Sequence, residues 1–243
     1  MLNFNSFNVL IFDCYGTLID WESGINDALK PELAQNGISV EDNELLELYA
    51  EFESEAESSK YVNYKEILKT VALEFALHFN FELKRESEYF ISESIKNWVP
   101  FPDTVNALNE LQRKYKLAIL SNIDNNLFSF SAARLGVDFD YVFTAEDIKS
   151  YKPAQRNFDY AVSKIGLPKE NLLHVAQSLY HDVAVAKSLN ISTVWVNRRK
   201  DTPGSGATPE TAVTPGSGAT PETAVIPDLE VPDLESLVKL IWN

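Results

Sequence analysis

The sequence predicts an α/β protein built on a doubly wound parallel sheet, with a second, helical domain inserted near the start of the chain. Three observations carry this. From residue 98 onward, short apolar runs alternate with helical patterns of roughly ten to fifteen residues, the order a parallel sheet needs because each strand returns through a crossover. The first apolar run, Val9 to Phe12 with Phe7 just before it, has no polar position, which suits a strand covered on both faces. Between that strand and the next run lie about eighty residues of helical period without strand alternation. The expected division is a sheet domain of residues 1–20 and 98–243 and a helical cap of residues 21–97.

The first strand ends in Asp13. Gly16 then allows a sharp turn and the Thr17 hydroxyl can tie the loop down. In the helical block Ser23 is a candidate cap for a helix reaching Gly37, and Asp42 or Asn43 for one reaching Ser58. Tyr64, Ile67, Leu68, Val71, Ala72, Phe75, Ala76 and Phe79 form one apolar face of a third helix, and a fourth is expected over 85–97. Pro100 and Pro102 mark the return to the sheet domain, where Asp103 caps a helix carrying Val105, Leu108 and Leu111. A strand over 116–120 ends in Ser121-Asn122, and the next helix closes at Gly136. A short strand over 141–144 precedes a loop holding Tyr151-Lys152-Pro153 and a helix through Ile165-Gly166. The strand over 172–176 runs into Gln177-Ser178, Asp182 begins a helix over 182–189, and 192–196 is the last core strand. The unit Thr-Pro-Gly-Ser-Gly-Ala-Thr-Pro-Glu-Thr-Ala-Val then occurs twice without change. It is too rich in Pro and Gly, and too poor in large apolar groups, to bury a core, so residues 202–225 are expected to be a flexible loop. A closing helix starts at Pro232-Asp233, with Leu234, Leu237, Val238 and Ile241 turned inward.

With 21 Lys and Arg against 36 Asp and Glu, the formal charge is −15. That excess and the lack of a basic tract argue against binding nucleic acid or an anionic membrane surface. No window is long and apolar enough to span a bilayer, and residues 1–7 lack the basic and apolar regions of a secretory leader. The single cysteine, Cys14, allows no internal disulfide and suits a reducing compartment, so a cytoplasmic protein is expected.

Parallel strands place Asp13, Ser121 and Asp182 on one side of the sheet, with Lys152 in an intervening loop. Asp13 can be a nucleophile or only a loop-starting residue. Lys152 can hold that carboxylate ionised, or be a solvated surface lysine. Ser121 and Asn122 offer donors to an anionic group, or cap the helix that follows. Asp182 can place a water or a divalent cation, or cap its own helix. His78, His174 and His181 lack metal-ligand spacing and read as packing or surface residues, His181 being the one nearest the site.

Phe12-Asp13-Cys14-Tyr15-Gly16-Thr17-Leu18-Ile19-Asp20, Ser121-Asn122, Tyr151-Lys152-Pro153 and Asp182 together resemble the haloacid dehalogenase superfamily, most closely its L-2-haloacid dehalogenase (type II) branch. The resemblance covers about residues 8–196 and implies a Rossmann-like core with a helical cap inserted after the first strand. It makes Asp13 the nucleophile that displaces halide from carbon, with water then cleaving the aspartyl ester. It gives Thr17, Ser121, Asn122 and Lys152 the tasks of orienting that nucleophile and holding a substrate carboxylate, and Asp182 the place of the last acid. Tyr64 falls at the halide pocket, and Asn197-Arg198 at the pair after the final strand. Tyr15 and Gln177 join Ser121, Asn122, Tyr64 and Arg198 as expected substrate contacts. The implied substrate is a small organic anion, no cofactor is required, and a homodimer is possible. Phosphatases of the superfamily carry a second Asp where Tyr15 stands. A phenol, about six pKa units weaker as an acid, cannot readily protonate a leaving alkoxide, whereas halide leaves without a proton. Two alternatives stay open, a phosphatase with Mg²⁺ on Asp13 and Asp182 and a binding protein that keeps the fold. The chain also departs from the branch. Between Lys30 and Lys60, where dehalogenases carry a halide-binding arginine, it has no basic residue, while eight acids lie between Glu41 and Glu57. Those acids would repel a departing halide if they faced inward. Phe158 replaces a tyrosine after the lysine, and Gln177 and Leu179 replace the Ser and Asn before the last acid.

Overall fold

The computed structural model describes residues 2–58, 60–199 and 225–242. The repeat expected to be flexible falls outside these, apart from Val225. Six parallel strands form one sheet in the order β3-β2-β1-β4-β5-β6. They are β1 (Val9–Phe12), β2 (Lys116–Ser121), β3 (Tyr141–Thr144), β4 (Leu172–Ala176), β5 (Ser192–Val196) and β6 (Leu229–Val231). β1 lies at the centre between β2 and β4, and all four of its residues are buried, as an all-apolar strand covered on both faces requires.

The edge strand β6 has no counterpart in the sequence reading. It is three residues long between Pro227 and Pro232, too short for an alternation to show. It is fixed by pairing with β5.

Residues 21–97 are helical, with no named strand among the described residues. α1 (Trp21–Gln35) is capped by Asp20, whose Oδ1 accepts from Ser23 N–H at 3.2 Å, so Ser23 is inside the first turn rather than the cap. α2 (Asp42–Glu57) has Glu41 at its cap position, and α3 (Tyr64–His78) buries its predicted face from Tyr64 to Ala76. The expected helix over 85–97 is broken into tight turns at Arg85–Ser87 and Ile95–Asn97 around a short α4 (Phe90–Ser94). There Ser92 and Ser94 hydroxyls donate to the Tyr89 and Ile91 carbonyls, competing with the regular helical pattern.

The remaining helices are α5 (Thr104–Leu111), α6 (Asn125–Leu135), α7 (Ala145–Ile148), α8 (Gln155–Ile165), α9 (Ala184–Ser188) and α10 (Leu234–Trp242). Asp103 precedes α5 without capping it. Its carboxylate instead accepts from Arg198 and from the Leu234 N–H that opens α10. Before α9 the chain makes a wide turn of π geometry, Leu179–Val183, capped by Ser178, so Asp182 is free of the capping role the sequence allowed it. α1 packs closely on Trp98: a Cβ on Gly24 would lie 2.4 Å from the indole, so only glycine permits that approach.

Candidate active site

The parallel register brings the ends of β1, β2 and β4 together. Asp13 is the first residue past β1, and its N–H still bonds the Val175 carbonyl of β4 at 3.1 Å, which fixes the direction of its side chain. Gly16, at φ +92°, turns the loop back, and a side chain there would press on Gln177 and Trp21. Thr17 Oγ donates to Asp13 Oδ2 at 2.7 Å and accepts from Gln177 N–H at 2.8 Å, tying the β1 loop to the end of β4.

Lys152 reaches this point from the loop before α8. It is 3% exposed, and its Nζ donates to Asp13 Oδ1 at 2.8 Å and to Asp182 Oδ1 at 2.7 Å. Asn122 holds the lysine in place, since its Oδ1 accepts from Lys152 N–H at 2.7 Å and its Nδ2 donates to the Lys152 carbonyl at 3.0 Å. The Asn122 amide is thereby committed to backbone, and it acts on the site through Lys152. Ser121 is buried, and its hydroxyl has no partner among the described residues.

The sequence reading missed His174. It lies fully buried in the middle of β4, and its Nε2 is 2.8 Å from Asp182 Oδ1. An ionised carboxylate can only accept, so Nε2 carries the hydrogen and Nδ1 is left without a partner. The available signal was a polar residue inside the apolar run Leu172-Leu173-His174-Val175-Ala176, because a buried imidazole requires a partner.

Burial pushes the Asp13 carboxyl above its usual value, against the pull of Lys152 and the Thr17 hydroxyl. For Asp182 the same burial is outweighed by Lys152 and His174, which hold it at about 2. Burial alone would favour neutral Lys152, but the two carboxylates keep it protonated. Burial raises the Tyr15 phenol well above its ordinary value, making it a poorer proton donor still; its hydroxyl lies 2.9 Å from Ser131 Oγ. His181 is lowered to about 4, first by burial.

Asp13, Lys152 and Asp182 form the floor of a cleft of about 690 Å³, counted to its open mouth, a size suited to a small molecule. Tyr15, Ser121, Asn122, Gln177 and Tyr64 line it as expected. Arg198, expected as a substrate contact, is not among the residues that line it. Its guanidinium donates to the Thr17 carbonyl at 3.1 and 2.8 Å and to Asp103 at 2.7 Å, and lies 4.1 Å from the centre of the Phe101 ring, so no donor face is turned to the cleft. The wall also includes Trp21, Tyr49, Trp98, Glu53 and Glu57, none of which the sequence reading placed there. For α2 the signal was present, since positions 49, 53 and 57 recur at steps of four and share one helix face.

Residues 7–190 match the family model of haloacid dehalogenase-like hydrolases. The chain belongs to this family. Among curated proteins, an (S)-2-haloacid dehalogenase of Pseudomonas fluorescens is 24% identical over 197 residues, covering 78% of this chain and 84% of that protein. One from Pseudomonas sp. (strain YL) is 26% identical over 210 residues, covering 84% and 89%. Among solved structures, the L-2-haloacid dehalogenase of Xanthobacter autotrophicus with chloropropionic acid covalently bound superposes with a TM-score of 0.76 at 22% identity, over 98% of this chain and 99% of that one. The hydrolase thus has the fold that its motifs implied. Among its described residues no helix is long and apolar enough to cross a membrane, and no three His, Cys, Asp or Glu side chains are grouped to hold a metal ion.

Proposed function

We propose that this haloacid dehalogenase-like hydrolase cleaves a carbon–halogen bond in a small organic acid through an ester on Asp13, with residues 21–97 as the cap that closes the site. The observation that carries the reading is one buried ammonium, Lys152 Nζ, hydrogen-bonded to both Asp13 and Asp182 at the strand ends, with no carboxylic acid where Tyr15 stands.

An Asp13 oxygen, through a lone pair not engaged by Lys152 or Thr17, attacks the halogen-bearing carbon from the side opposite the halogen. The C–O bond forms as the carbon–halogen bond breaks, and halide leaves with the bonding pair, so no proton donor is needed. The substrate carboxylate is received by the unpartnered Ser121 hydroxyl near Lys152. Water then adds to the Asp13 carboxyl carbon, one of its protons leaves with the departing hydroxy acid and the other passes to solvent, and Asp13 returns to a carboxylate. Lys152 stabilises the negative charge at Asp13 before attack and again as water adds.

Mg²⁺ between Asp13 and Asp182 fits these residues poorly. The Oδ1 atoms of both acids already converge on an ammonium, and Asp182 Oδ2, although without a hydrogen-bond partner among the described residues, has essentially no accessible surface. Cys14, buried and without a partner thiol among the described residues, suits a reducing compartment such as the cytoplasm.

The test is a single turnover of 2-chloropropionate in ¹⁸O-water, followed by mass measurement of the peptide containing Asp13. Incorporation of ¹⁸O at Asp13, with halide release abolished in Asp13→Asn, is the expected result. No halide above that control, or Mg²⁺-dependent release of phosphate from a phosphomonoester instead, would overturn the reading.

A further inference from the structure

The α2 wall of the cleft is acidic. Tyr49, Glu53 and Glu57 project from one face of α2 into the cleft. Glu53 Oε1 accepts from the Tyr49 hydroxyl at 2.9 Å and from the Tyr64 hydroxyl, while the Glu57 carboxylate has no hydrogen-bond partner among the described residues. Both are half-buried. With Asp13 and Asp182 they place four carboxyl groups around one lysine and no arginine. With more carboxyl groups than cations, such a pocket disfavours a second anionic group in the ligand.

Burial raises the Glu53 carboxyl against its two tyrosine partners, and raises Glu57 further because Glu53 stands beside it. Lys152 pulls on Glu57 from a distance, but neither of these two carboxyl groups, one helical turn apart and facing a cavity, has a cation bonded to it among the described residues. Aromatic rings line the same cleft: Tyr49 and Tyr64 bond Glu53, Trp21 packs on Tyr49 at 5.5 Å, and Trp98 packs on Tyr15 at 5.7 Å. Carboxylates framed by indole and phenol rings form a receptor for a positively charged nitrogen. Ser121, 3% exposed as a residue, lines the same cleft with no hydrogen-bond partner for its hydroxyl among the described residues, an independent sign that the cavity accepts a polar ligand.

We infer that the substrate is a zwitterion: a small organic acid whose carboxylate and reacting carbon lie at Ser121 and Asp13, and whose cationic nitrogen lies at Glu53 and Glu57 among the aromatic rings. This rests on the reaction proposed above and names its substrate class. The cation supplies the charge that α2 lacks, so its binding favours ionised Glu57, and an acid with an uncharged tail leaves two carboxyl groups unmatched.

The test compares 2-chloro-4-(trimethylammonio)butanoate with its uncharged isostere 2-chloro-5,5-dimethylhexanoate, in halide release and in calorimetric binding to the Asp13→Asn protein. The inference expects at least about a tenfold higher kcat/KM for the ammonium compound. Glu57→Gln should reduce that preference severalfold, and Glu53→Gln,Glu57→Gln should remove it. Turnover of both compounds at equal kcat/KM, unaltered in the Gln variants, overturns the inference and leaves the Asp13 reaction standing. Preferential binding of the ammonium compound without turnover of either upholds the zwitterion site and overturns the reaction. Absence of both binding and turnover for the ammonium compound overturns the inference, with 2-chloropropionate turnover in ¹⁸O-water deciding the reaction separately.

Discussion

The floor and the wall of the cleft solve the problem of buried charge in opposite ways. On the floor, Lys152 lies between Asp13 and Asp182, and His174 backs Asp182, so three buried charges each have a partner within 2.8 Å. On the wall, Glu53 and Glu57 share no cation with each other or with a basic residue of α2, since residues 31–59 contain none. Asp182, bonded by both Lys152 and His174, stays ionised to about pH 2, Asp13, bonded by Lys152 alone among cations, is raised by its burial, and Glu57, with no cation bonded to it among the described residues, is raised well above its ordinary value. The difference separates charges that the protein itself pairs from charges that it leaves without a bonded cation.

Removing the shared cation breaks this contrast most severely. Lys152→Met leaves two buried carboxylates facing each other, and the expected loss is about 3–5 kcal/mol of stability by urea unfolding, with kcat reduced at least about a thousandfold. Unchanged halide release in a folded Lys152→Met protein would mean the floor does not work as described. His174→Ala withdraws one donor from Asp182 and empties a fully buried site, for an expected loss of about 3 kcal/mol. Because His174 acts through Asp182, kcat should fall while KM stays within about twofold; a rise in KM alone would count against it.

Arg198→Ala separates support from contact. It releases the Thr17 carbonyl and Asp103, costing about 2 kcal/mol in thermal unfolding, yet KM should change less than about twofold because the side chain is outside the cleft. A large KM effect would restore the substrate contact that the sequence suggested.

The smallest effect has the sharpest pH signature. Asp182, depressed in the fold, contributes stability that is full above its unfolded value of about 3.8 and is lost as pH falls through about 2. Glu57 is raised, so its neutral form favours folding below the unfolded value of about 4.5, and that contribution is lost as pH rises through the folded value. Glu57→Gln should therefore raise Tm by about 2–4 °C near neutral pH, about 1 kcal/mol, with the gain vanishing below about pH 4.5. An equal gain at pH 4 and pH 8 would show that ionisation of Glu57 is not its source.

Much of the molecule was legible in the sequence because the relevant patterns are local. Val9 to Phe12 reads as a central strand from its own residues, and the step from Phe12 to Asp13 marks where a strand end meets solvent-facing chemistry. The face from Tyr64 to Ala76 follows from helical period alone, and Lys152 and Asp182 stand in short motifs that survive without knowledge of packing.

Other features depend on segments far apart in the chain. Glu53 and Glu57 share a helix face with apolar Tyr49, but whether that face meets solvent or a cavity is decided by what packs beside α2. Arg198 carries the same five donors in any position, and it became a brace because Thr17, 181 residues away, presents its carbonyl there. β6 has too few residues to declare itself and exists through its pairing with β5. The amino-acid order by itself determined the succession of strands and helices and the chemical kinds of the reactive groups, since both reside in neighbouring residues. Tertiary packing decided which charges meet a partner and which wait for one, because the free energy of a buried charge is set by whatever group the fold brings within a few ångströms of it.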